Sequence, residues 1–186
     1  LHLLNSPEEC VRLANQVPNS GGVIFIPALQ GLGTPYSDPQ ATGAFFGLSR
    51  ATTRAHIARA ILESIAFRTR QVIETLKENS PVPAFETLYV DGGMAQSDDF
   101  LQLQADVLGI PIKRANTVQV TSLGVAYMAG LAVGYWNEIT DIKAMKRENP
   151  IIVPSNNRAQ VEEQFHKWVQ FVNMSISLSP SLQKER

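Results

Sequence analysis

The chain has 186 residues, 44% of them apolar, and sets 16 Lys and Arg against 17 Asp and Glu for a formal net charge of -1. That is enough apolar material for one core, and at about 100 to 200 residues per domain it is one domain. The near-neutral balance, with no basic run, argues against nucleic acid as a partner, and a lone cysteine, Cys10, excludes an internal disulfide or a Cys-rich metal site and fits a reducing, cytoplasmic setting.

At the N-terminus, LHLLNSPEEC has no basic segment followed by an apolar core, so it is no secretory signal. Its opening Leu, where a natural start has Met, marks a piece of something longer. Ser6 as N-cap and Pro7 at the first helical position predict a short helix over Pro7 to Gln16. Cys10 falls on its apolar face with Leu13, Ala14 and Val17, which makes it a core residue and not a reactive thiol. Val23 to Ile26, bounded by Gly21, Gly22 and Pro27, reads as a strand buried on both faces.

Pro27 to Thr42, PALQGLGTPYSDPQAT, carries three prolines and two glycines and is irregular. Its Gly31-x-Gly33 is no dinucleotide fingerprint, because Pro35 and Pro39 bar the helix that must follow. Asp38 is a candidate general base there, but an Asp before Pro more often fixes a turn through its side chain. Gly43 to Leu48 reads as a further strand, paired with a neighbour.

Thr53 to Asn79 predicts the longest helix, capped by Thr52 or Thr53. Ile57, Ile61 and Ile65, with Ala58, Leu62 and Ala66 beside them, form its apolar stripe, which Val72 and Leu76 continue. On the same helix Glu63 shares a face with Arg59 and Arg70. The spacing reads as a solvated ion pair worth about 0.2 to 0.5 kcal/mol, with a contact to another domain as the alternative.

Pro81 and Pro83 end that segment, and Thr87 to Val90 supplies a strand. Asp98 to Leu108 follows as a helix with Phe100, Leu103 and Val107 on one face and Gly109 as the stop, then Pro111 to Lys113 as a short strand. Ser122 to Trp136 carries no charge over fifteen residues, fewer than the roughly twenty a membrane span needs. It predicts a buried helix, starting at Thr121 or Ser122, whose Gly130 and Gly134 admit a close neighbour. A short helix over Asp141 to Arg147 and an amphipathic one from Arg158 to Val172, carrying Phe165, Trp168 and Val169, close a domain of residues 1–175. Residues 176–186 read as a flexible tail. Strands alternating with helices predict an α/β or α+β layered domain. His2, His56 and His166 lie far apart in sequence, so no zinc site is expected.

The stretch with chemistry in it is Thr87 to Ser97, TLYVDGGMAQS. Gly92 and Gly93 at a strand's carboxyl end let the backbone turn and bring bare N–H groups to a phosphate. An ordinary tight turn explains a bare Gly-Gly pair equally well. Ser97 stands where its hydroxyl either caps the next helix or meets a ribose or phosphate oxygen. Asp98 and Asp99 would repel a close phosphate, so they are expected to point outward and leave the ligand on glycine backbone.

Four blocks in order, GLGTPYSDPQATGAFFGL, HIARAILESIAFRTRQV, VDGGMAQSDDFLQLQADVLGIPI and TSLGVAYMAGLAVGYW, resemble the C-terminal domain of the FGGY carbohydrate kinases, most closely the glycerol kinase branch. The resemblance spans about Gly21 to Trp136 and includes the family's C-terminal signature as Gly43 to Glu63. It implies an actin-like, ribonuclease H-like α/β fold, in which two domains clamp ATP with Mg²⁺ and hold glycerol or a related polyol in the cleft. It also implies Gly93 and Ser97 as nucleotide contacts, joining Gly92 from the reading of the turn itself, with no catalytic residue and no metal ligand in this chain. Ser at 97, where glycerol kinases usually have Asn, leaves the acceptor open, and Ser37, where they typically have Trp, implies a different packing of its loop.

On this reading the catalytic Asp and the acceptor site belong upstream of Leu1, and the 186-residue chain alone is inactive. A catalytically degenerate nucleotide-binding or interaction module on the same fold is the alternative. A membrane span and nucleic acid are not expected partners, and homo-oligomerisation stays open.

Overall fold

A computed structural model describes residues 3–79, 86–145, 151–155 and 157–183, the side chains of 179–183 excepted. The chain begins with α1 (Pro7–Ala14), and the Ser6 hydroxyl accepts from the N–H of Glu9 at 3.1 Å to cap it. The strands β1 (Ile24–Ile26) and β2 (Ala44–Phe46) form an antiparallel pair with Phe25 opposite Phe45, whose rings stack at 4.5 Å. Between them the proline-rich stretch is irregular, as its composition requires. Asp38 accepts from the N–H of Gln40 at 2.8 Å there, an Asx turn of the kind expected of an Asp before Pro.

The 26-residue α2 (Arg54–Asn79) runs through the middle of the domain. Its buried face is the alanine and leucine face. Ala58, Leu62 and Ala66 are 0 to 3% exposed, whereas Ile65 and Leu76 reach solvent. Ala58 and Ala66 let α1 and β1 come close to the α2 backbone, and larger β-branched side chains would hold them off. The isoleucine stripe expected from sequence is therefore the shoulder of the contact, not its centre.

Next come β3 (Leu88–Val90), a single 3-10 turn over Met94–Gln96, α3 (Asp98–Leu108) and β4 (Ile112–Arg114). β3 and β4 pair in parallel with α3 as the crossover, and β5 (Ile151–Ile152) adds antiparallel to β4. Between β4 and β5 lie α4 (Val120–Ala132) and α5 (Ile139–Ala144), the latter opened by a reciprocal capping box between Glu138 and Asp141. Pro81, Pro83 and Arg147 fall outside the described residues.

The last element is α6 (Arg158–Gln183), which continues eight residues past Ser175, the end of the domain in the sequence reading. Ser175 is itself buried and its hydroxyl donates to the Thr42 carbonyl at 3.0 Å. Two apolar clusters lie on the two sides of α2. One joins α1, α3 and β4 through Cys10, Ala14, Leu101, Ala105 and Ile112. The other joins β1 and α6 through Ile26, Phe67, Phe165, Trp168 and Val172. Burial raises the Cys10 thiol's pKa, consistent with its place in the first cluster.

Three sequence readings are corrected. Glu63 is buried, not solvated, and meets only one of the two arginines considered, Arg59, at 2.8 Å. Arg70 is buried as well and turns to Glu74 at 2.7 Å and Glu162 at 2.6 Å. Its guanidinium carbon lies 4.0 Å from the centroid of the Phe165 ring, a cation–π contact that offsets an Nη1 with no hydrogen-bond partner among the described residues.

The third correction is larger: α4, expected to be buried, has no buried residue. Helix formation also starts earlier and stops earlier than its apolar run, at Val120 and Ala132. Gly134, at φ +74°, turns the chain so that Trp136 folds back against Gly130.

Candidate functional site

β3 delivers the chain to Asp91 with its ladder intact to the end, since the N–H of Ala115 still donates to the Val90 carbonyl at 2.8 Å. There the backbone reverses. Gly92 has φ +90°, a conformation L side chains rarely adopt. Gly93 is different: its φ of -62° and ψ of -46° suit any residue, and a Cβ built on it would meet nothing within 4 Å. Neither conformation nor packing within the described chain explains a glycine there. A bare backbone at that point leaves room for something that comes from outside.

The N–H groups of Gly92, Gly93 and Met94 carry no hydrogen bond to the described chain. Gly93's own carbonyl accepts from Gln96, which closes the 3-10 turn. Ala95, at the centre of the turn, is buried in the cluster formed by α1, α3 and β4 and anchors the segment.

From the other side Arg114, at the end of β4, donates through Nη1 to the carbonyls of Ala95 and Gln96 at 3.2 and 3.4 Å and to Asp98 Oδ1 at 2.7 Å. One guanidinium thus ties the turn to the first residue of α3. Sequence reading missed Arg114, because its partners are mostly backbone carbonyls, which carry no residue signature.

Ser97 caps α3. Its Oγ accepts from the N–H of Phe100 at 3.1 Å. That use occupies a lone pair and leaves the hydroxyl proton free to donate, so the two roles considered for Ser97 are compatible. Asp98 is held by Arg114 and Asp99 by the amide of Asn15, and both also line the groove between the turn and α1.

Gly93, Met94 and Ser97 form one wall of a groove of about 610 Å³ whose opposite wall is α1, through Pro7, Val11 and Arg12. The Arg12 side chain is 65% exposed, and Glu9 lies 3.8 Å from it. Nothing in the sequence places α1 against the glycines, because residues some eighty positions apart meet only through the packing of both on α2 and α3. The groove offers free amide N–H groups, one hydroxyl donor and the exposed Arg12 cation, which are groups that hold a phosphate ester, but Glu8, Asp98 and Asp99 line it as well and oppose an anion close to them. It contains no nucleophile paired with a base. Among the described residues no cluster of three or more His, Cys, Asp or Glu is arranged to hold a metal ion.

Residues 4–133 match the model of the FGGY family of carbohydrate kinases, C-terminal domain. The chain belongs to that family. Among curated relatives it is 43% identical over 176 residues to glycerol kinase 2 of Thermotoga maritima, covering 95% of this chain and 35% of the relative. It is 42% identical over 182 residues to glycerol kinase 2 of Saccharolobus solfataricus, covering 98% and 36%.

Among solved structures, Plasmodium falciparum glycerol kinase with ADP superposes with a TM-score of 0.82 at 29% identity, over 93% of this chain and 34% of that one. A ligand-bound xylulose kinase from Lactobacillus acidophilus gives 0.80 at 26% identity, over 100% and 38%. The FGGY domain described here thus has the actin-like α/β fold of these sugar kinases, as the resemblance implied, and spans about a third of the length of the relatives it matches. No helix among its described residues is long and apolar enough to cross a membrane.

Proposed function

We propose that this FGGY domain is the nucleotide-binding part of an ATP-dependent kinase that phosphorylates an alcohol group of glycerol or a related polyol or sugar. The observation that carries the reading is Gly93, a glycine required neither by its backbone angles nor by any neighbour, beside free N–H groups in an open groove. ADP in the crystal structure of the Plasmodium falciparum relative supports a nucleotide as the occupant. In this reading Gly92 and Gly93 lie under the phosphates, and the Ser97 hydroxyl donates to the ligand while it caps α3.

Phosphoryl transfer depends on positioning, charge stabilisation and a base that orients the acceptor hydroxyl. The groove supplies positioning alone. Mg²⁺ would arrive on the nucleotide phosphates, with no ligand cluster for it among the described residues of this domain, and the base and acceptor site belong to the remaining two thirds of a full-length kinase. Cytoplasmic residence fits such an enzyme.

The test is an assay of the longer polypeptide with Mg-ATP across a panel of glycerol, other polyols and sugars, run beside the 186-residue chain. Transfer by the longer protein and none by the chain is expected. Turnover by the chain alone would put the catalytic groups where this account has none, and ATP binding without transfer to any acceptor would favour the degenerate module.

A further inference from the structure

Three carboxylates line the groove onto which the glycine turn opens, Glu8 on α1 and Asp98 and Asp99 in the first turn of α3. A phosphate laid on Gly92 and Gly93 would meet the two aspartates on its own wall, and like charges repel more strongly where water is partly displaced. The two are held differently. Asp99 accepts from the neutral amide of Asn15, whereas Asp98 Oδ1 accepts from Arg114 Nη1 at 2.7 Å and so faces a full positive charge. The Asp98 side chain is 77% exposed and that of Arg114 23%, which makes the guanidinium the fixed member of the pair.

Arg114 stands behind the turn, lining a separate recess with Gln96, Asp98 and Asn116. The parallel register of β3 and β4 puts it there, because Arg114 is the partner of Val90, two residues before Gly92. From that position the same Nη1 donates to the carbonyls of Ala95 and Gln96 at 3.2 and 3.4 Å. Both belong to the 3-10 turn that Gly93 opens. One nitrogen thus engages the backbone of the turn and the carboxylate beside it.

We propose that Arg114 is a positioning residue for the nucleotide: it holds the glycine turn by its carbonyls and cancels the Asp98 charge at the edge of the phosphate site. Without that cation, Asp98 would present an uncompensated negative charge to the ligand, and the carbonyls of Ala95 and Gln96 would lose their common donor. The proposal rests on the groove holding a nucleotide, and it names the residue that lets an acid-lined groove accept a phosphate.

The test measures Mg-ADP affinity from amide shifts of the ¹⁵N-labelled chain, with the melting temperature of each variant beside it. Arg114→Met should weaken binding about tenfold, because it leaves Asp98 unpaired next to the ligand. Arg114→Lys keeps the charge and should stay within about threefold of wild type. Adding Asp98→Asn to Arg114→Met should recover most of the loss, an effect that a purely structural tie does not produce, since the carbonyls remain without their donor. Equal affinity in wild type and Arg114→Met would overturn the proposal, and so would a loss that Asp98→Asn leaves unrestored. Asp98→Asn alone guards against misfolding of the arginine variant: it leaves the Arg114 charge uncancelled and should raise affinity about two- to threefold, and unchanged or lower affinity would also overturn the proposal. Absence of Mg-ADP shifts in the wild-type chain is a separate result, which removes the nucleotide reading and this assignment with it.

Discussion

Gly92 and Gly93 are adjacent, yet they are glycines for different reasons. Position 92 is set by φ +90° and would be strained by any side chain, whereas position 93 has ordinary helical angles and open space around it. A sequence shows the pair and cannot divide it, because φ is not written in residue identity. Ser97 was legible as either cap or ligand contact; the structure shows the cap, which leaves the hydroxyl proton free to donate. Replacing Ser97 by Ala should cost about 1 kcal/mol of stability through the lost cap, measured by urea unfolding, and should also weaken nucleotide binding. Loss of stability with unchanged binding would leave Ser97 a cap alone.

The buried arginine was not legible as buried. Helical spacing pairs Arg70 with its own helix, and only tertiary packing brings Glu162 of α6 to it. That hydrogen bond, with the charges of Arg70 and Arg158 behind it, lowers the Glu162 pKa. A carboxylate whose folded pKa is depressed adds stability above its unfolded value, about 4.3, and that stability is lost as pH falls through the lower folded value. Wild-type unfolding free energy should therefore drop on acidification below about pH 4.3 more steeply than that of Glu162→Gln, and parallel pH profiles would remove this pair from the acid response.

At the scale of elements, helix and strand positions followed from caps and breakers: Ser6 and Pro7, Ser97, and Gly109 at φ +67° each mark an observed boundary. Which face is buried followed less well. In α2 the periodicity was read from the isoleucines, but the deciding property is how closely a neighbouring backbone can approach, and alanine wins that contest. The amphipathic pattern of α6 was legible, and its anchor is Trp168, 2% exposed, with its indole N–H donating to the Phe25 carbonyl at 2.9 Å. Trp168→Ala removes that volume and leaves a β1 carbonyl unpaired, so a loss of about 3 to 5 kcal/mol is expected in denaturant unfolding. A loss below 1 kcal/mol would show that α6 does not hold β1.

For the whole molecule, family and fold were legible because the matching blocks follow one another in order along the chain. What sequence could not supply was the placing of distant segments: α1 as the second wall of the groove, Arg114 as the tie across the glycine turn, and α4 as an apolar helix covered only in part, by Trp136. The first two depend on packing among α1, α2 and α3. In α4 the pattern that means "buried" was correct about the helix's apolar chemistry and incorrect about its exposure, since none of its residues is buried.

On the proposed function, the segment from Gly92 to Ser97 is one wall of a nucleotide site. Amide chemical shifts of the ¹⁵N-labelled chain, titrated with Mg-ADP, test it most directly, since a single wall binds weakly and the method reads weak binding residue by residue. Shifts at Gly92, Gly93, Met94 and Ser97 are expected in the wild-type chain and none in Gly93→Val, whose backbone tolerates the substitution while its side chain fills the space for the phosphate. Shifts that persist unchanged in Gly93→Val, or that gather elsewhere on the domain, would contradict the account.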